Sequence, residues 1–217
     1  MQTLTGWQKG GALCLALGGL QYVVAEKISA LAWRAPDYSY RQNYISDLGI
    51  ASCGMTADGR DICSPLHGLM NSGFALEGIL FFIACWLLRA VFHEKGQALF
   101  LFFGLLHGLG GVLIALFHSG GGTGGVTLHQ TGAVLAIACG NVCLLSAGWM
   151  KRGISGWKIF SALSLLSGCI GLISMMTISL NVLPTGMIER LSVYTITAWQ
   201  VCTGLWLLRR KKAPAGA

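Results

Sequence analysis

The sequence predicts an all-α fold: a polytopic transmembrane bundle of six helices with both termini cytoplasmic. Three observations predict it. Of 217 residues, 54% are hydrophobic and 11% charged, whereas soluble domains carry about 25% charged residues. The mean hydropathy is +0.64, too high for a chain that must cover a soluble globule with polar surface. The apolar residues also gather into six segments of roughly 20 residues, the length that crosses a bilayer.

The segments are read at 10–33, 66–91, 98–117, 128–150, 159–180 and 191–208, with an outer loop at 34–65. They leave no space for a soluble domain, so residues 1–217 are read as a single integral membrane domain. Lys9 precedes the first segment, and Glu26 and Lys27 fall near its far end. Ala30-Leu31-Ala32 has the form of a signal-peptidase site, but the residues before it are too polar and too long for an ideal cleavage region. Gly104-x-x-x-Gly108, with Gly110 and Gly111, predicts that the third helix packs closely on a neighbour. The glycine loop between His118 and His129 lacks the Gly-Lys-Ser/Thr ending of a phosphate loop and reads as a flexible turn. Pro184 and Gly186 mark the turn of the loop from Asn181 to Arg190.

Charge placement sets the expected orientation. With the N-terminus inside, Lys9, Arg89, Lys95, Lys151, Arg152, Lys158, Arg209, Arg210, Lys211 and Lys212 are inner, against Arg34, Arg41, Arg60 and Arg190 outside. Ten against four satisfies the positive-inside rule. The net charge of +7 therefore orients the chain in a cell inner (plasma) membrane. It is not the basic face on a soluble surface that nucleic acid needs, and the expected partners are membrane lipids.

The chemistry concentrates between Pro36 and Asn71. This stretch holds Asp37, Asp47, Asp58 and Asp61, half of the eight acidic residues. Cys53 and Cys63 lie there ten residues apart. On the oxidising side of a membrane they are expected to pair as a disulfide. No C-x-x-C motif occurs, which disfavours a thiol oxidoreductase.

Three histidines fall at outer helix ends: His67, His118 and His129. With Asp47 they have ligand types suited to zinc, or to acid–base work. Their spacing matches no established motif such as H-E-x-x-H. The plainer reading is that they satisfy backbone groups at helix ends. His107 and His118 share a helix face about 16 Å apart along the axis. Glu77 lies about 15 Å below His67 by helix rise, near mid-membrane, where an ionisable group normally faces the bundle interior or a watery cavity. Arg190, Tyr194 and Thr197 form a stripe on the last helix. Arg190 is expected to pair with a loop carboxylate, with Asp47 the candidate.

Pro36-x-Tyr38-Ser39-Tyr40, Asn43-Tyr44-Ile45-Ser46-Asp47-Leu48-Gly49, Pro65-Leu66-His67-x-x-Met70-Asn71 and Gly186-Met187-Ile188-Glu189-Arg190 together resemble the bacterial and archaeal membrane family catalogued as domain of unknown function 998. The Ser-Asp-Leu-Gly element is the most specific part. The chain is similar, more distantly, to Frag/DRAM-like membrane proteins, some tied to lipid-anchor remodelling or autophagy. The resemblance implies a six-helix bundle with this element outside the first helix, and implies no reaction.

The functional expectation is an outward-facing polar cavity that binds a lipid headgroup or small amphiphile. Asp47, His67, Asn71 and Arg190 would line its mouth, with Glu77 deeper. One alternative is a metal-assisted intramembrane hydrolase or lipid-modifying enzyme using Asp47, His67, His118 and His129. Another is a small proton-coupled transporter centred on Glu77. The halves show no convincing inverted repeat, which weakens the transporter alternative.

Overall fold

The computed structural model describes residues 4–34, 36–56, 59–92, 96–119, 127–180 and 183–209. The glycine loop at 120–126 lies outside them, as do Asp58, Lys95 and the basic tail Arg210–Lys212. Six helices are long and apolar enough to cross a membrane: α1 (Gly6–Ala32), α2 (His67–Leu88), α3 (Gln97–Leu116), α4 (Leu128–Lys151), α5 (Lys158–Thr177) and α6 (Thr185–Arg209). The protein is a multi-pass membrane protein built as a helical bundle.

Two helices open on reciprocal caps. Thr5 Oγ1 accepts from Gln8 N–H at 3.3 Å while Gln8 Oε1 accepts from Thr5 N–H at 2.9 Å. Thr127 and Gln130 repeat the arrangement at the start of α4, at 3.2 and 2.9 Å. Each box satisfies two backbone donors that a helix start leaves orphaned. The Ala30-Leu31-Ala32 stretch is the last turn of α1. One boundary corrects the expectation: residues 185–190, read as loop, are the first turns of α6. Pro184 precedes the first helical residue, and its carbonyl accepts from Met187 and Ile188. Within α4, Leu135–Cys139 forms a π-turn.

The helices pack as a closed ring: each touches its neighbour in sequence, and α6 returns to α1. One end of the ring carries the chain from 33 to 66, and we refer to it as the loop end. There Ser46–Gly49 makes a 3-10 turn against the start of α2. A two-residue-per-strand hairpin follows, β1 (Gly54–Met55) antiparallel to β2 (Asp61–Ile62). The Cys53–Cys63 disulfide closes it at its open end. Buried Trp33, Ile45, Leu48, Ile62, Met70 and Phe74 fill the loop end, and Leu15, Phe81, Leu88, Phe92, Phe100 and Leu144 fill the opposite end. The outer surface is apolar, as at Leu13, Leu20, Leu105, Leu163 and Ile173. At the end opposite the loop, exposed Trp86 and Trp149 lie under the guanidinium groups of Arg89 and Arg152, an interfacial belt of amphipathic side chains.

Glycines let the helices of the core approach backbone to backbone. A Cβ on Gly78 would lie 2.8 Å from the Gly108 carbonyl oxygen, and one on Gly108 would lie 2.9 Å from that of Gly78. On the other face of α3, a Cβ on Gly110 would lie 2.3 Å from the Ala136 nitrogen. The small-residue run in α3 therefore packs against two helices, α2 and α4, rather than one. Gly110→Ala is expected to destabilise the bundle by about 1–3 kcal/mol through overpacking, whereas Gly6→Ala, with nothing within 4 Å, leaves stability unchanged. Thermal unfolding in detergent compares the two.

Candidate functional site

Arg190, at the loop end of α6, is only 6% exposed. A buried guanidinium needs an anion and acceptors for its remaining N–H groups. The anion is Glu26 of α1, 1% exposed, whose Oε1 accepts from Arg190 Nε at 3.1 Å and lies 3.1 Å from Nη2. Its Oε2 accepts from the Tyr194 hydroxyl at 2.8 Å. Arg190 Nη1 lies 2.8–3.0 Å from the carbonyl oxygens of Tyr40, Asn43 and Gly186, and Nη2 also donates to the Tyr38 hydroxyl. Burial pushes the Tyr38 phenol well above its usual range, against the pull of Arg190. The expected partner, Asp47, is not the one chosen. Glu26 sits deeper in α1 than its reading as a helix-end residue implied, and α1 packs directly on α6.

Asp47 is fully buried and serves the loop itself. Its Oδ2 accepts from Tyr44 N–H at 2.9 Å and from Asn43 Nδ2 at 3.5 Å, and pairs with Arg60. Burial raises its carboxyl above the ordinary range, opposed by Arg60. Asn71 Nδ2 donates to the Gly49 carbonyl at 2.9 Å. A Cβ on Gly49 would fall 2.2 Å from Asn71 Oδ1, so the Ser-Asp-Leu-Gly turn needs glycine for this latch to close.

The three helix-end histidines each meet a backbone carbonyl through Nδ1. His67 donates to Ser64 at 3.1 Å, His118 to Ser119 at 3.2 Å and His129 to Phe117 at 2.8 Å. His118 is exposed and His67 half-buried. Among the described residues no group of three or more His, Cys, Asp or Glu is placed to hold a metal ion. The zinc set of Asp47, His67, His118 and His129 is therefore not gathered. Asp47 is turned to its own loop, His67 and His118 to their own helix ends, and His129 to the end of α3.

The expected polar mouth is likewise not assembled, because Asp47, His67, Asn71 and Arg190 are engaged in holding the loop. Glu77, of that set, lines a cavity. It is 5% exposed, and its carboxylate meets His107 Nε2 at 3.0 and 3.1 Å and accepts from Gln200 Nε2 at 2.6 Å. His107 Nδ1 lies 2.6 Å from the Ala136 carbonyl oxygen in the π-turn of α4. The Phe81 ring covers the imidazole, with centroids 4.3 Å apart. The cavity beside this pair measures about 50 Å³ and opens toward Glu189, His129, Ser46 and Thr197. In the sequence His107 reads as part of a stripe with His118, and Glu26, Glu189 and Gln200 carry no site reading. For Glu26 and Gln200 the available signal was a polar side chain inside an apolar segment.

A second concavity is larger and of opposite character. It lies between α5 and α6 at the end away from the loop and measures about 770 Å³. Phe160, Leu163, Trp199 and Trp206 form its apolar wall, Ser164 and Ser167 line it, and Lys158 stands at its end. Phe160 and Trp206 stack at 5.4 Å between ring centroids.

Removing one partner of a buried ion pair strands the other charge, at about 3–5 kcal/mol. Arg190→Met is expected to destabilise by that amount, and the double variant Arg190→Met with Glu26→Met to recover most of it. Denaturation of the three proteins in detergent measures the difference.

No curated protein and no solved structure matches this chain, and the distant similarity to Frag/DRAM-like proteins is not shown. The family model described as "Protein of unknown function (DUF998)" matches residues 16–206. That span holds all the loop elements and runs through every helix, so the chain belongs to this family.

Proposed function

We propose that this chain binds a membrane amphiphile in the crevice between α5 and α6. It sits in the cell inner membrane with both termini cytoplasmic, which brings the crevice to the cytoplasmic leaflet. The orientation rests on the excess of Lys and Arg at the end opposite the loop. The anionic headgroup meets Lys158, and the acyl chain lies along Phe160, Leu163 and Trp199.

The crevice itself is the observation that carries this reading: about 770 Å³, open, mostly apolar, with Lys158 at its end. Ligand sites share this character, an apolar lining with few polar groups that fix orientation. No side chain caps the first turn of α5, and an uncapped helix start favours a phosphate. The site is thus at the opposite end of the bundle from the polar mouth expected of Asp47, His67, Asn71 and Arg190. The hydrolase alternative would need a gathered ligand set, which the four residues assigned to it do not form.

Native mass spectrometry of protein released from mild detergent tests the reading. The wild type is expected to retain phospholipid, with anionic species enriched. Ser167→Trp, which fills the crevice, is expected to lose it. Lys158→Gln is expected to lower the preference for anionic lipid by about 1 kcal/mol. Equal retention by all three proteins refutes the assignment.

A further inference from the structure

We propose that the small cavity between Glu77, His129 and Glu189 is a binding site for one positive charge, a proton or a water-sized monovalent cation, entered from the loop end. It is separate from the α5–α6 crevice and independent of it.

The size of the cavity restricts the ligand. About 50 Å³ holds roughly three to five waters at 10–15 Å³ each. A headgroup or an organic substrate does not fit.

The sign of the charge follows from the lining. The Ala136 carbonyl can only accept, so His107 Nδ1 carries a hydrogen and donates to it. The contact between His107 Nε2 and Glu77 then requires one shared proton. Imidazolium with carboxylate and imidazole with carboxylic acid are both neutral overall, so the pair offers no net charge. Arg190 is committed to Glu26, and Asp47 to Arg60. Glu189 accepts from the Ile45 N–H through Oε2, and its Oε1 has no partner among the described residues. Its negative charge is therefore unbalanced within the cavity, where an uncompensated ion is expensive.

Two further groups are left open there. His129 is 7% exposed. Its Nδ1 donates to Phe117, which leaves Nε2 as an acceptor without a partner among the described residues. The Tyr22 hydroxyl, on a side chain 5% exposed that lines the same cavity, also lacks one. The titratable and charged groups around Glu189 are Tyr22 and Glu26 of α1, Tyr38 and Asp47 of the loop, Glu77 of α2, His107 of α3, His129 of α4, and Arg190 and Tyr194 of α6. No residue of α5 lines the cavity.

The site is a well rather than a passage. Beyond Glu77 lies Gln200, and beyond that the buried cluster of Phe81, Trp199, Leu144 and Leu15. Binding adds one proton from bulk water to the Glu189 carboxylate. Alternatively, that proton leaves as one cation enters, charge for charge.

Infrared difference spectroscopy on the full chain in detergent tests this, with sodium, potassium and ammonium chloride as the probes. A protonated-carboxyl band is expected to bleach as pH rises between about 4 and 9 and to be absent in Glu189→Gln. If a cation competes, the midpoint falls by about one pH unit per tenfold rise in that cation. A midpoint indifferent to all three salts identifies the proton as the ligand. Ala133→Leu, which places bulk in the cavity and removes no ionisable group, is expected to abolish any salt effect and to displace the midpoint. No titrating carboxyl in the wild type overturns the proposal. So does a band unchanged in Glu189→Gln, or a midpoint unmoved by Ala133→Leu in protein that elutes as the wild type on gel filtration.

Discussion

A guanidinium buried among apolar helices is the constraint from which the loop end follows. Arg190 has to be surrounded by acceptors, and three different parts of the chain supply them. Glu26 brings α1 against α6 and so closes the ring of helices. Tyr40 and Asn43 turn their carbonyls inward, which folds the segment after α1 back over the bundle. Gly186 completes the shell, and a Cβ there would lie 2.3 Å from the Asn43 carbonyl oxygen. The loop is held by charge satisfaction from below and by the Cys53–Cys63 bond at the open end of its hairpin.

The middle of the bundle has a different logic. There the backbones of α2 and α3 meet through Gly78 and Gly108, and α3 meets α4 beside Gly110. This close approach carries Glu77 to His107 and His107 to Ala136. Had larger residues separated the helices, the same polar groups would be stranded in hydrocarbon. Small residues and buried ionisable residues are therefore one arrangement, since the second is tolerable only because of the first.

Much of this was legible in the chain. Span number and the disulfide follow from apolar run length and from two cysteines in one loop. Glu77 stood out because a carboxylate in mid-membrane has few bland explanations. Its partners did not stand out, because which faces of two helices meet is fixed by packing between distant segments. The periodicity of either helix alone does not contain it. Arg190 shows the same limit. Its need for a carboxylate was readable, but Glu26 was hidden by its neighbour Lys27, which made the pair look like an ordinary helix end. The start of α6 was missed because charged Glu189 and Arg190 resemble loop residues until their internal partners are known.

The π-turn at Leu135–Cys139 has a consequence for helix phase. One extra residue in a turn rotates everything after it by about 100° relative to an uninterrupted helix. His129 and Asn141 therefore sit on faces that a regular helix would not bring to bear on the same interior. The first points at the cavity, while the second reaches the Ser192 carbonyl on α6 at 2.9 Å. The turn works as a gear offset within a single rod. Shortening α4 by one residue there would leave its composition and hydropathy almost untouched, yet would set its two halves out of step with the ring around them.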